Sequence, residues 1–164
     1  MRHGAIDVNG TVWGLPVPLV KFKRTHPDAK LPTYAKDGDA GMDIYSVEDV
    51  IIFPGETTIV DVGFNIELGI GWECQARSRS GNACKGLVVA NSPGTIDSGY
   101  RGAVKIILHN NNLPSAGHDH DIKIKKGDRV AQFVVVPCYR AIIQEVDELS
   151  QSERGTGGFG STGK

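Results

Sequence analysis

Apolar and polar residues alternate from position 60 to position 68. Val60, Val62, Phe64, Ile66 and Leu68 fall on one side, and Asp61, Gly63, Asn65 and Glu67 on the other. A period of two is the signature of a β-strand with one face in a core and one in water. Pro54-Gly55 ahead of it and Gly69-Ile70-Gly71 behind it are turn signals. Shorter apolar runs at 87–90, 104–108, 122–125, 130–136 and 142–146 predict further strands, separated by clusters such as Asn110-Asn111-Asn112 and Lys126-Gly127-Asp128. Residues 17–23 alternate weakly and break at Thr25-His26-Pro27-Asp28. No segment sustains a long amphipathic helical period. The pattern predicts an all-β fold, a jelly-roll-like barrel or sandwich of short strands.

Length and composition narrow this picture. The chain has 164 residues, which fits a single domain able to bury a core without metal or disulfide staples. Residues 1–14 have no clear period and read as an N-terminal extension, a loop or a loose first strand. Residues 150–164 read as a flexible, glycine-rich C-terminal arm. A net charge of −1 with 23% charged residues argues against a nucleic-acid or membrane-surface binder, which carries a basic excess. Cys74, Cys84 and Cys138 lie at wide spacings with no zinc-ligand pattern, so small core residues in a reducing compartment are expected. With no signal-like apolar region and no membrane-length segment, a soluble intracellular protein is expected, cytoplasmic or, if viral, in the host-cell interior.

Four stretches carry chemistry. The first, Gly94-Thr95-Ile96-Asp97-Ser98-Gly99-Tyr100-Arg101-Gly102, puts one carboxylate, one ring and three glycines between two apolar runs. It predicts a hairpin along which a small molecule can lie close to the main chain. By itself Asp97 suits a turn-forming residue and Tyr100 a core ring. The second, Arg77-Ser78-Arg79-Ser80-Gly81, offers two cations and two hydroxyls, a composition that suits an anion and equally a solvated basic turn. In the third, Ala40-Gly41-Met42-Asp43-Ile44-Tyr45-Ser46, Asp43 points away from its apolar neighbours if the segment is a strand. It then caps a turn, pairs with an arginine or holds a metal-bound water. The fourth is Arg154-Gly155-Thr156-Gly157-Gly158-Phe159-Gly160-Ser161-Thr162-Gly163. Its glycines make ordering costly, and a floppy tail is the ordinary reading. An arginine and a lone phenylalanine among them fit a segment that closes over a polyphosphate, with the ring stacked on a flat base.

Together with Gly127-Asp128-Arg129-Val130-Ala131-Gln132, these stretches resemble, in order, the five motifs of the homotrimeric dUTP diphosphatase family, from about Leu15 to the C-terminus. The resemblance implies a jelly-roll homotrimer with sites at subunit interfaces, each closed by a C-terminal arm, and hydrolysis of dUTP to dUMP and pyrophosphate with Mg²⁺. This reaction limits uracil incorporation into DNA and supplies dUMP for thymidylate synthesis. It implies Asp97 as the general base for attack of water on the α-phosphorus, and Tyr100 under the deoxyribose, excluding a 2′-hydroxyl. Asn91 and the main chain of Gly94, Thr95 and Ile96 would read the uracil edge. Arg79, Ser80, Gly81 and Gln132 would contact phosphates, and Asp43 would help place the metal through water. Arg154 would act as an arginine finger and Phe159 would cap the base, with Gly160 and Ser161 beside it. No direct contact with nucleic acid or membrane is implied.

Two positions depart from the family's habit: Gly99 stands where many members have an acid, and Asn82 where an apolar residue is common. The related dCTP deaminases share the fold but lack the arginine-led glycine arm. A catalytically silent nucleotide-sensing trimer is the rival of another class, and intact Asp97, Tyr100 and Arg154 argue against it. A regulatory protein partner remains open as an added role.

Overall fold

In the computed structural model, which describes residues 11–12, 15–114 and 120–158, the alternating stretch runs to the end of the longest strand. The strands in chain order are β1 (Thr11–Val12), β2 (Leu15–Pro16), β3 (Val20–Arg24), β4 (Met42–Tyr45), β5 (Val50–Ile52), β6 (Thr57–Leu68) and β7 (Trp72–Arg77). They continue as β8 (Leu87–Val89), β9 (Gly94–Ile96), β10 (Ala103–Asn110), β11 (Ile122–Ile124) and β12 (Arg129–Pro137). Among the described residues a single four-residue helix, α1 (Ser80–Ala83), follows β7. Two four-stranded antiparallel sheets, ordered β3-β6-β10-β8 and β4-β12-β7-β9, face each other, and the pairs β1-β2 and β11-β5 flank them. This is the expected all-β sandwich. None of the described helices is long and apolar enough to cross a membrane.

The alternation of β6 becomes its burial. Val60, Val62, Phe64, Ile66 and Leu68 are all buried and join Ile44, Ile106, Leu108, Val130 and Phe133 in one core. Phe64 from one sheet meets Phe133 from the other edge-to-face at 6.2 Å, and Phe22 packs on Phe64 at 5.4 Å. Each such side chain contributes roughly 1.5–3 kcal/mol by leaving water. The alternation is interrupted at Gly63, which is buried with φ +75 at an irregularity in the β6–β10 ladder. Its carbonyl accepts from the Thr25 and His26 amides, and a Cβ there would lie 2.8 Å from His26 and Val47 carbons. Only glycine combines that backbone with that closeness.

Three sequence expectations are corrected. The runs at 87–90 and 104–108 do pair antiparallel, Val89 with Leu108, but the stretch between them is no simple hairpin. β9 leaves for the opposite sheet and pairs with β7, Gly94 beside Ala76. The run at 142–146 forms no strand, because it finds no strand partner among the described residues. Ile142 and Ile143 are 97% and 94% exposed, and among the described residues no strand or helix follows Pro137. Of the three cysteines only Cys74 is in the core. Burial pushes its thiol up to about 12, with the Glu73 charge adding to the effect.

Candidate active site

Two clefts collect most of the chemistry-bearing residues. The first, about 400 Å³, is lined by Asp43, Arg79, Ser80, Gly81, Arg129 and Gln132 among others. Asp43 sits on β4 with its neighbours Met42 and Ile44 turned into the core, so its carboxylate faces outward, as the alternation predicts. It does pair with arginine, and with two of them: Arg79 Nε donates to Oδ1 at 2.9 Å and Arg129 Nη1 to Oδ2 at 3.1 Å. The Asp43 side chain is 14% exposed, so these charge-assisted bonds form partly out of water. Gln132 pairs in register with Asp43, donates from Nε2 to the Ser78 carbonyl at 2.8 Å and lies over Gly41. A Cβ on Gly41 would run into the Gln132 amide, so that glycine is what admits the side chain.

The basic stretch is only half directed at this cleft. Arg77 Nε donates to Gln75 at 3.0 Å, and the Ser78 hydroxyl accepts the Val89 amide at 2.8 Å. Arg79 and Ser80 are left to face the cleft, one cation and one hydroxyl rather than two of each.

The second cleft, about 190 Å³, is lined by Thr95, Ile96, Asp97, Tyr100, Val104 and Lys105. Tyr100 donates its hydroxyl to the Ala103 carbonyl at 2.8 Å, which folds the ring back over Gly102. A Cβ on Gly102 would lie 2.6 Å from that hydroxyl oxygen. Arg101 Nη1 donates to the Ser98 and Tyr100 carbonyls, both at 2.7 Å, and so pins the turn that presents Asp97. Asn91 lies against Gly94, where a Cβ would come within 2.8 Å of Nδ2. Gly99 has open space around its missing Cβ and no left-handed φ, so the acid common at this position would fit without strain.

The two clefts share no residue and lie apart. β4 and β9 are opposite edges of one sheet, three strand spacings from each other. Asp43 lies level with Gln132 and Arg77, whereas Asp97 follows Ile96, which lies level with Cys74. At about 4.8 Å per spacing and 3.3 Å per residue, Asp97 and Asp43 are roughly 20 Å apart. One chain therefore does not bring Asp97 to Arg79. Arg154 lines neither cleft; its Nε donates to the Gly157 carbonyl at 2.9 Å in a local turn. Phe159, Gly160 and Ser161 lie outside the described residues.

Sequence reasoning assigned no role to Arg129 or Lys105 and left Asn82 as a mere departure. Arg129 is half of the Asp43 bridge, Lys105 lines the Asp97 cleft, and Asn82 Nδ2 donates to the Arg129 carbonyl at 2.9 Å. The signal for Arg129 was its place in a quoted motif beside the buried Val130. Its partner lies 86 residues away, which no local pattern reveals.

No three His, Cys, Asp or Glu side chains gather as a metal cage among the described residues. A carboxylate has about four lone-pair sites. Two of those on Asp43 are taken by guanidinium, and two remain for water. Asp43 alone is therefore no cation cage, but its open lone pairs could face, through water, a hard cation that arrives with a polyanion.

Comparison with known proteins places the chain in a family. The model of the family described as dUTPase matches residues 27–163. Deoxyuridine 5′-triphosphate nucleotidohydrolase of Clostridioides difficile is 51% identical over 145 residues, 88% of this chain and 97% of that protein. The protein of that name from Nautilia profundicola is 47% identical over 88% of this chain and 99% of its own length. Among solved structures, the Staphylococcus bacteriophage 80alpha dUTPase with dUPNHPP superposes with a TM-score of 0.80 at 30% identity, covering 89% of this chain and 99% of that one. A mutant dUTPase from phage phi11 of S. aureus, described for its coordination of a structural Mg(II) ion, gives 0.75 at 27% identity, covering 81% and 99%.

Proposed function

The chain belongs to the dUTPase family and hydrolyses dUTP to dUMP and pyrophosphate, and from that premise we propose that it does so in sites assembled between copies of itself. The observation that carries this reading is the separation of the two clefts on opposite edges of one sheet. A nucleoside triphosphate needs a base-and-sugar pocket and an anion cradle within one molecule's reach. The Asp97 cleft of one chain and the Asp43 cleft of its neighbour supply one each. In a closed homotrimer every chain then contributes to two sites. The exposed segment with Tyr139, Ile142, Ile143 and Leu149 supports the same assembly, since it leaves the sheet with its apolar side chains uncovered.

In this arrangement uracil lies along Gly94, Thr95, Ile96 and Asn91, and the deoxyribose rests on Tyr100. Because the Tyr100 hydroxyl is committed to the Ala103 carbonyl, the ring acts by its face, as a wall against a 2′-hydroxyl. Asp97 accepts a proton from the water whose oxygen bonds to the α-phosphorus. The bond from that phosphorus to the α–β bridging oxygen breaks, and pyrophosphate leaves. Arg79, Ser80, Gly81 and Gln132 neutralise and orient the phosphates. Asp43 would hold Mg²⁺ through water, and the bound ion would supply charge neutralisation on the phosphates. Arg154 and Phe159 of a closing arm complete the cover over phosphates and base. Positioning and charge neutralisation supply most of the rate in such chemistry, since a carboxylate is a weak base. The composition fits work in the cytoplasm, where this reaction limits uracil incorporation into DNA and supplies dUMP for thymidylate synthesis.

Pyrophosphate release from purified protein, measured with dUTP, dCTP, dTTP and UTP in turn, tests the reading. Release with dUTP at least about a hundredfold faster than with any other is expected, because dCTP presents a mismatched polar edge while UTP and dTTP each add a group that the site must exclude. Comparable rates with UTP would remove Tyr100 from sugar discrimination.

A further inference from the structure

Arg129 touches the anion cleft without an assigned task, and its surroundings give it one. Its guanidinium donates to Asp43 Oδ2 at 3.1 Å, while Arg79 Nε holds Oδ1 at 2.9 Å. Its carbonyl accepts from Asn82 Nδ2 at 2.9 Å, and Asn82 belongs to α1, the turn that carries Ser80 and Gly81. A closed circuit results: Asp43 on β4, Arg79 ahead of α1, Asn82 within α1, Arg129 at the start of β12, and back to Asp43. The side chains of Arg79 and Asp43 are 23% and 14% exposed, against 51% for Arg129. The inner pair is thus the sheltered one, and Arg129 closes it from the solvent side.

The circuit decides how Arg79 meets a phosphate. With Nε engaged by Asp43, the guanidinium plane is fixed and its two terminal nitrogens, which make no hydrogen bond to protein among the described residues, point their donors elsewhere. A carboxylate bound by one arginine alone can rotate and take both nitrogens of that arginine in a fork. The second arginine occupies the other oxygen and prevents this. Resting on the reading of this cleft as the phosphate cradle, we propose that Arg129 is a positioning residue that acts through Asp43, holding Arg79 in a side-on pair so that its terminal nitrogens stay free for the substrate phosphates. Asn82 locks the main chain of Arg129 to the same loop, which gives the unusual residue at that position a purpose.

The test is a double-mutant cycle on dUTP hydrolysis with Arg129→Met, Asp43→Asn and the double variant, with Arg129→Lys as the conservative control. Arg129→Met lowers kcat by about ten- to a hundredfold, as a misaimed cationic group does, with a smaller change in KM. The double variant is expected to be no slower than the slower single one, because the two residues act in series. Arg129→Lys recovers at least half of the loss on a logarithmic scale, since an ammonium still occupies the second oxygen. Affinity for a non-hydrolysable dUTP analogue, measured by calorimetry, falls less than fivefold in Arg129→Met. Multiplicative losses in the cycle, or a loss of analogue affinity as large as the loss of kcat, would mean that Arg129 touches the substrate itself and would overturn the proposal. If Arg129→Met fails to fold, Arg129→Lys together with Asn82→Leu carries the cycle with Asp43→Asn, and the same two outcomes decide. Absence of dUTP turnover in the wild-type chain would bring down the phosphate-cradle reading and this proposal with it. Turnover with multiplicative losses removes this proposal alone.

Discussion

Asp97 stands exposed at the end of β9 with Arg101 pinning the turn beneath it, so the carboxylate is presented by rigid backbone rather than by contacts of its own. Asp97→Asn keeps the shape and removes the proton acceptor. A fall in kcat of about a thousandfold is expected, while calorimetry shows analogue binding within a few-fold of wild type. Near-normal turnover in that variant would refute the general-base assignment. Cys74 offers a second residue-level check. The unfolded chain releases its thiol proton near 9.0, whereas burial holds it to about 12 in the fold. Its stabilising contribution is therefore complete below pH 9 and declines as pH rises from 9 toward 12. Urea midpoints at about pH 8 and about pH 10.5 should drop further in wild type than in Cys74→Ala. Equal drops would mean the thiol is not buried as described. Asp97 and Tyr100 were legible in the sequence because a carboxylate and a ring among glycines stand out locally. The bridge from Asp43 to Arg79 and Arg129 was not, because its partners lie 36 and 86 residues away.

At the level of elements, β6 was readable since a strand with one buried face writes its period into the chain. Gly63 was read as one more outward residue, although it is the point where the loop at 25–29 enters the core. That depends on a contact between distant segments, which periodicity does not carry. The segment at 142–146 misled for a related reason. It has a strand's composition, but a strand also needs a partner, and none is offered among the described residues. The arm that follows carries Arg154 in a turn of its own, away from both clefts. Deleting residues 154–164 should lower kcat/KM by about a thousandfold, as loss of an arginine finger does, and leave the circular dichroism spectrum and thermal midpoint nearly unchanged. Retained activity, or a lost fold, would show that the arm has another task.

The whole molecule turns on the distance across one sheet. Asp97 and Asp43 stand at opposite edges, roughly 20 Å apart by strand geometry, and in the proposed assembly the half-sites that one chain separates are joined by another. This also explains why the motifs could be found in the sequence while their grouping could not: order along the chain says nothing about which copy completes a site. The most direct measurement is complementation between two inactive chains, Asp97→Asn and Arg79→Ala, denatured together, refolded and assayed for pyrophosphate release from dUTP. Each variant alone should be silent, and the equimolar mixture should regain about a quarter of wild-type activity, since about one site in four of a randomly mixed closed ring pairs an intact Asp97 with an intact Arg79 from its neighbour. A mixture as silent as its components, although mixed oligomers form, would place both residues in one chain's site and contradict the account.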